Sequence, residues 1–157
     1  MSFAGRSSLH PIHAETRGLS GWIRSDVGSG SGEVRVEAGQ LEIPLASLSS
    51  QNALYDSELR RRIDIRRHPT ANAELSDWQP TERPGSYRVR GDVTFRGVTV
   101  DVEDEITVSV QDDETVLLDG SRVFDIRDFG MEPPRLLALR VHPEVTIRIA
   151  LVARLVD

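Results

Sequence analysis

Residues 87–110 read YRVRGDVTFRGVTVDVEDEITVSV, and this stretch decides the fold. Tyr87, Val89, Gly91, Val93 and Phe95 fall at every second position, with Arg88, Arg90, Asp92, Thr94 and Arg96 in the alternate places. Successive strand side chains point to opposite faces, so the spacing predicts a strand with one dry and one wet side. Arg96-Gly97 marks a tight turn. Beyond it Val98, Val100, Val102, Ile106, Val108 and Val110 alternate with Thr99, Asp101, Glu103, Glu105, Thr107 and Ser109. Two such runs across so short a turn predict a long antiparallel hairpin. Asp104 falls on the dry side. An unpaired buried carboxylate is expensive, so a bend or a rim position is expected there.

Working outward, the same period returns near the C-terminus. Val145, Ile147, Ile149, Leu151, Ala153 and Leu155 share a face, opposite Thr146, Arg148 and Arg154. Val34 and Val36 are in phase with each other, and Leu41, Ile43 and Leu45 have the opposite parity. Gly39 lies between the two sets, where a bulge would reset the register. Shorter strands are expected at residues 9–16, 19–24, 71–78 and 115–129. Two short helices are expected, at residues 50–63 and at 132–139, where Pro133-Pro134 suits a first helical turn. The glycine alternation at residues 28–32 lacks both a following helix and a lysine, so it reads as a hairpin connection and not as a phosphate loop.

Composition narrows the chemistry. The 157 residues carry a formal charge of −6 and no cysteine. That length suits a single domain over residues 1–157. The missing cysteines exclude disulfides, thiolate metal sites and a cysteine nucleophile. All 19 basic residues are arginine, which excludes lysine-base and Schiff-base chemistry. The acidic balance argues against nucleic acid as a partner. No apolar run approaches the ~20 residues of a membrane helix, and the N-terminus has no apolar leader core, so a cytoplasmic protein is expected. His10 and His13, three apart, would face opposite sides of a strand, and His68 and His142 stand apart from them, so neither a metal nor any other cofactor is expected. There is no nucleophile elbow. Asp128, beside Arg127, reads as a partly buried ion pair or a turn cap and not as a catalytic acid.

About eight antiparallel strands with one-sided polarity must stack or close, and a barrel of that size holds either its own side chains or one small ligand. The dry faces are mainly Val and Ile, and only eight residues in the chain are Phe, Trp or Tyr. Medium-sized side chains leave the middle of such a barrel under-filled, which points to an apolar cavity. A fully packed interior is the alternative. The fold class is therefore all-β, an eight-stranded antiparallel barrel with one or two short helices.

Three motifs then carry a resemblance. Asn52 and Asp56 precede the pair Leu59-Arg60, with Pro69 before the next strand. Gly91-Asp92-Val93-Thr94-Phe95-Arg96-Gly97-Val98-Thr99 forms the hairpin, and Asp128-Phe129-Gly130 follows late. In that order they resemble the YceI-like, polyisoprenoid-binding family. The resemblance implies a lipocalin-like barrel with an elongated apolar tunnel, binding of an isoprenoid or other lipid, and a homodimer.

The resulting functional expectation is non-catalytic binding or transport of a long apolar amphiphile. Its wall would comprise Ile43 and Leu45, then Val89, Val93 and Phe95, then Val98, Val100, Val102, Ile106 and Val108, and finally Val145, Ile147 and Ile149. Residues 60–68 hold five Arg and one Asp. Guanidinium groups match phosphate oxygens, so Arg60, Arg61 and Arg66 are candidates for a head-group contact at the tunnel mouth. A solvated helix paired with Asp56 and Glu58 is the other reading. The competing functions are a filled structural or stress-related protein, and a small-molecule enzyme seeded by Asp104 or Asp128. The enzyme would require one of these carboxylates to point inward beside a His or Arg.

Overall fold

The computed structural model describes residues 2–7, 11–15, 18–27, 34–112, 115–133, 135–136 and 139–154, with side chains for 18–25, 35–112, 115–133 and 142–154. The strands are β1 (Ser2–Ser7), β2 (Pro11–Glu15), β3 (Ser20–Val27), β4 (Val34–Pro44), β5 (Thr70–Pro80), β6 (Ser86–Phe95), β7 (Val98–Asp112), β8 (Thr115–Asp125), β9 (Arg135–Leu136) and β10 (Leu139–Arg154). One α-helix, α1 (Ala53–Ile63), stands between β4 and β5. The strands form one antiparallel sheet in the order β2-β1-β10-β8-β7-β6-β5-β4-β3, with β9 paired to β10.

The quoted hairpin forms β6 and β7, in register from Phe95↔Val98 to Ser86↔Thr107. Arg96 (φ 56°) and Gly97 (φ 76°) both adopt positive φ, as a two-residue hairpin turn requires. Gly91 permits a second close approach. A Cβ there would lie 1.9 Å from the Glu74 carbonyl oxygen of β5. The register of β5 against β6 skips Ser76 just beyond this point, between Leu75↔Gly91 and Asp77↔Arg90. That bulge lets Leu75 and Trp78, three apart, face the same interior.

Inner-face residues from β3, β4, β5, β6, β7, β8 and β10 surround one void, so the sheet curls into a half-barrel. Its two ends, β2 and β3, are unpaired with each other among the described residues. Two apolar clusters fill the inside. Ile43, Leu45, Leu48, Ile63, Ala71 and Met131 pack beneath α1. Val36, Trp78, Val89, Val108 and Leu118 form the other.

Several expectations are corrected. The first helix starts at Ala53, because Asn52 keeps extended backbone (φ −128°) and caps it. The second, at residues 132–139, is replaced by β9 paired to the start of β10, at Leu139↔Leu136 and Arg140↔Arg135. Pro133-Pro134 suits such a connection as well as it suits a helix start. The β4 bulge falls at Glu37 and not at Gly39, because the ladder with β3 passes from Arg24↔Ala38 to Ser25↔Val36. The strand expected through residue 129 ends at Asp125, whose side chain accepts from the Arg127 N–H at 2.9 Å and starts a 3-10 turn over Ile126–Phe129. This breaks the alternation. Asp128 is exposed, and the ion pair near it joins Arg127 to Asp125. Among the described residues the strand count rises to ten with β1 and β9, which are too short and mixed in composition to show a period. His10 and the glycine connection at 28–32 lie outside the described residues.

Candidate functional site: a cavity inside the curled sheet

The void has a volume of about 140 Å³. From the hairpin, Val89 and Val93 of β6 and Val102 and Ile106 of β7 form one wall. Ala73, Leu75 and Trp78 come from β5, Leu118 and Phe124 from β8, and Ile147 and Ile149 from β10. Small residues keep it open: Gly39 and Gly120 lie on the wall where larger side chains would project inward. The walls are almost wholly apolar, so the space is poorly suited to water.

Of the residues proposed from the sequence, the structure brings together Val89, Val93, Val102, Ile106, Ile147 and Ile149. The others lie elsewhere. Ile43 and Leu45 belong to the packed cluster beneath α1, and Phe95 packs against it. Phe95 also meets Phe129 edge-on, with centroids 5.5 Å apart. Val108 is buried in the second cluster. Val98, beside the hairpin turn, is an exposed residue, while Val100 and Val145 are half-buried off the wall. The filled end beneath α1 means that the open space does not run the length of the sheet as a tunnel would.

The arginine cluster is also away from the cavity. Arg61 makes a two-pronged contact with Glu58, at 2.8 Å from Nη2 and 3.1 Å from Nε, and Arg62 joins the same carboxylate at 2.9 Å. Hydrogen bonds from Arg61 and then Arg62 hold the Glu58 carboxyl below its ordinary pKa range. Arg67 lies 3.5 Å from Asp64, and Arg60 reaches the Ala46 carbonyl at 3.4 Å. Asp56 hydrogen-bonds Ser50 instead, at 2.6 Å from the hydroxyl. Arg66 is exposed.

Three charged residues do line the cavity, Asp104, Asp119 and Arg122, and Asp119 also lies 3.9 Å from Arg148. Asp104 was anticipated as a break in the dry face of β7, and of the two carboxylates named for the enzyme alternative it is the one that meets the cavity beside an Arg. Arg122 was not, although Val116, Leu118, Gly120, Arg122 and Phe124 share one parity on β8, which is the available signal. The nearest oxygen of Asp104 is 3.8 Å from Nη1 of Arg122. That same nitrogen donates to the Glu103 carbonyl at 2.5 Å, and the guanidinium lies 5.3 Å from the Phe124 ring centroid. Nε of Arg122 is buried without a hydrogen-bond partner. Leaving a buried donor unpaired costs ~1–3 kcal/mol or more, so native structures rarely keep one without a reason.

A second, polar hollow lies at the β5–β6 turn, around Thr81, Arg83, Arg88 and Glu105. Glu105 accepts from the Ser86 hydroxyl and from Arg83. The Ser86 bond is the main influence holding its carboxyl below the ordinary pKa range. These contacts tie the turn to β7. Among the described residues no group of three His, Asp or Glu is placed to hold a metal ion.

A one-sided antiparallel sheet curled around an apolar void, with a helix packed over one end, defines a lipocalin-like architecture. The signature of the YceI-like domain matches residues 5–153, and the chain belongs to that family. Among solved structures it is similar to Burkholderia cenocepacia BcnA, at 21% identity and a TM-score of 0.81, covering 97% of this chain and 94% of that one. It is also similar to a polyisoprenoid-binding domain from Saccharophagus degradans, at 12% identity and a TM-score of 0.74, with coverage of 98% and 91%. The Campylobacter jejuni YceI protein matches at 14% identity and a TM-score of 0.74, with coverage of 93% and 86%. No curated protein matches the chain. No helix among the described residues is long and apolar enough to cross a membrane.

Proposed function

We propose that this protein binds an apolar molecule, of the polyisoprenoid or fatty-chain type, inside the curled sheet, and that it makes or breaks no bond. One observation carries the reading: a void of about 140 Å³ walled by Val, Ile, Leu, Trp and Phe from seven strands. Burial of apolar surface there is worth roughly 25 cal/mol per Å² removed from water. The similarity to the polyisoprenoid-binding domain from Saccharophagus degradans supports the ligand class. The size sets a condition on it. A cavity of ~150 Å³ takes a molecule the size of benzene. A long chain is therefore held by a segment, with the remainder outside the void. Arg60, Arg61 and Arg66 have no part in this reading. The cytoplasmic setting and the homodimer stay attached to it as expectations, to be checked by cell fractionation and sedimentation.

Trp78 lines the cavity, whereas Trp22 is 49% exposed and its indole donates to Gln40. Trp22→Phe therefore leaves a single tryptophan reporting on the void. Farnesol or a fatty ketone added to that variant is expected to change its fluorescence saturably, and solvent extraction of the native protein should release an apolar compound. Failure of both sinks the proposal.

A further inference from the structure

The β7–β8 ladder stops short. It runs from Asp112↔Thr115 only to Ile106↔Gly120. Beyond that point the start of β7 pairs with β6, and the end of β8 pairs with β10. Among the described residues no backbone pairing joins Val98–Glu105 to the end of β8. The join there is made by a side chain, the Arg122 guanidinium donating to the Glu103 carbonyl at 2.5 Å. Asp104 and Arg122 flank this slit. Both line the cavity, and their side chains are nonetheless 30% and 34% exposed. Residues that meet the void on one side and solvent on the other mark where the two connect.

The slit carries an unused donor. Nη1 of Arg122 is engaged, while Nε is buried and unpartnered. A hydrocarbon occupant would leave it so. An acceptor oxygen attached to an apolar body would satisfy it, and a hydrogen bond to a charged donor is the stronger kind. The charge of Arg122 already faces Asp104 at 3.8 Å. A second anion would meet that carboxylate, so a neutral oxygen fits better than a carboxylate or phosphate.

We infer that Arg122 anchors the head of the cavity's ligand by donating from Nε to a neutral carbonyl oxygen, with the head at the β7–β8 slit and an adjoining apolar segment in the void. This rests on the apolar-cavity reading above and adds the head-group chemistry and the orientation.

Calorimetric titration of the whole chain with octane, 2-octanone and octanoate tests it, alongside Arg122→Met and the double variant Arg122→Met/Asp104→Leu. The double variant leaves no unpaired charge at the slit, so it carries the test if the single one folds poorly. The affinity ratio of 2-octanone to octane is expected to fall about tenfold in the variants. An unchanged ratio, with octane still bound, overturns the anchor and leaves the apolar cavity standing. Tighter binding of octanoate than of 2-octanone to the native protein overturns the neutral head. If none of the three binds the native protein, the cavity reading fails and the anchor with it.

Discussion

Asn52 shows how much one side chain can fix. Its oxygen accepts from the N–H groups of Leu54 at 3.0 Å and Tyr55 at 3.3 Å, at the head of α1. Removing such a cap costs about 1 kcal/mol, so Asn52→Ala should lower the unfolding free energy by that amount, read as a lower urea midpoint with the slope unchanged. Asp92 acts in the other direction. It stands opposite Asp101 of β7 on one side and Glu74 of β5 on the other. A hydrogen bond shared with Asp101, then desolvation, then the two like charges raise its pKa above the ordinary value. The folded state therefore holds this proton more tightly than the unfolded chain does. Its contribution is fully present at low pH and is lost as pH rises through the raised value. Asp92→Asn should melt higher than the native protein at neutral pH, with the gap closing below pH ~4. Equal melting curves across the whole pH range would count against the shared proton. Capping is local, so an Asn directly before a helix, as Asn52 is, is a signal that the sequence itself carries. Arg122 was legible only to someone counting parity on β8, since nothing about an arginine in isolation says that it faces inward.

Helix α1 illustrates what elements add. Its single buried residue is Ile63, 1% exposed, packed with Ile43, Leu45 and Met131. The arginines of its last turn face solvent or Glu58, and basic residues there also suit the helix C-terminus. The helix thus closes the sheet through Ile63, with Leu59 partly buried against the same cluster, and holds its own charge in check through i,i+3 and i,i+4 pairs. Ile63→Ala should cost ~2–5 kcal/mol, read by chemical denaturation, and should raise hydrogen exchange in α1 ahead of β6 and β7. Uniform exchange would mean that the helix is not a separable cap. The long strands were readable from period two. The bulges at Glu37 and Ser76 were not, because a bulge is defined against a partner strand, and the partner's register is absent from a one-dimensional pattern. Residues 132–139 misled for a related reason: β10 begins early enough to pair with Arg135–Leu136, and that tertiary pairing overrides a local helix signal.

At the scale of the whole molecule the question is whether the interior is a core or a container. The sequence argument held that Val and Ile side chains cannot fill a curled sheet, and a void remains, walled in part by Trp78, Val89 and Leu118 of the second cluster. The same argument overestimated its extent, because residues outside the alternating strands, Leu45, Leu48, Ile63 and Met131, fill one end. Ala73 is the place to separate container from core. It lies on the cavity wall, between Leu41 of β4 and Val93 of β6 in the ladder. A phenyl ring projecting from this position would occupy most of a space of about 140 Å³. If the void is an imperfection of packing, filling it can only stabilise, and nothing else should change. If it is a binding site, Ala73→Phe should melt at or above the native temperature, with cavity-filling gains of ~0.5–2 kcal/mol, and should lose binding of octane and 2-octanone alike by at least tenfold. Arg122→Met, by contrast, should lower the ratio of 2-octanone to octane affinity and not abolish both. Retained affinity for both probes in a folded Ala73→Phe protein would show that ligands bind somewhere other than this void.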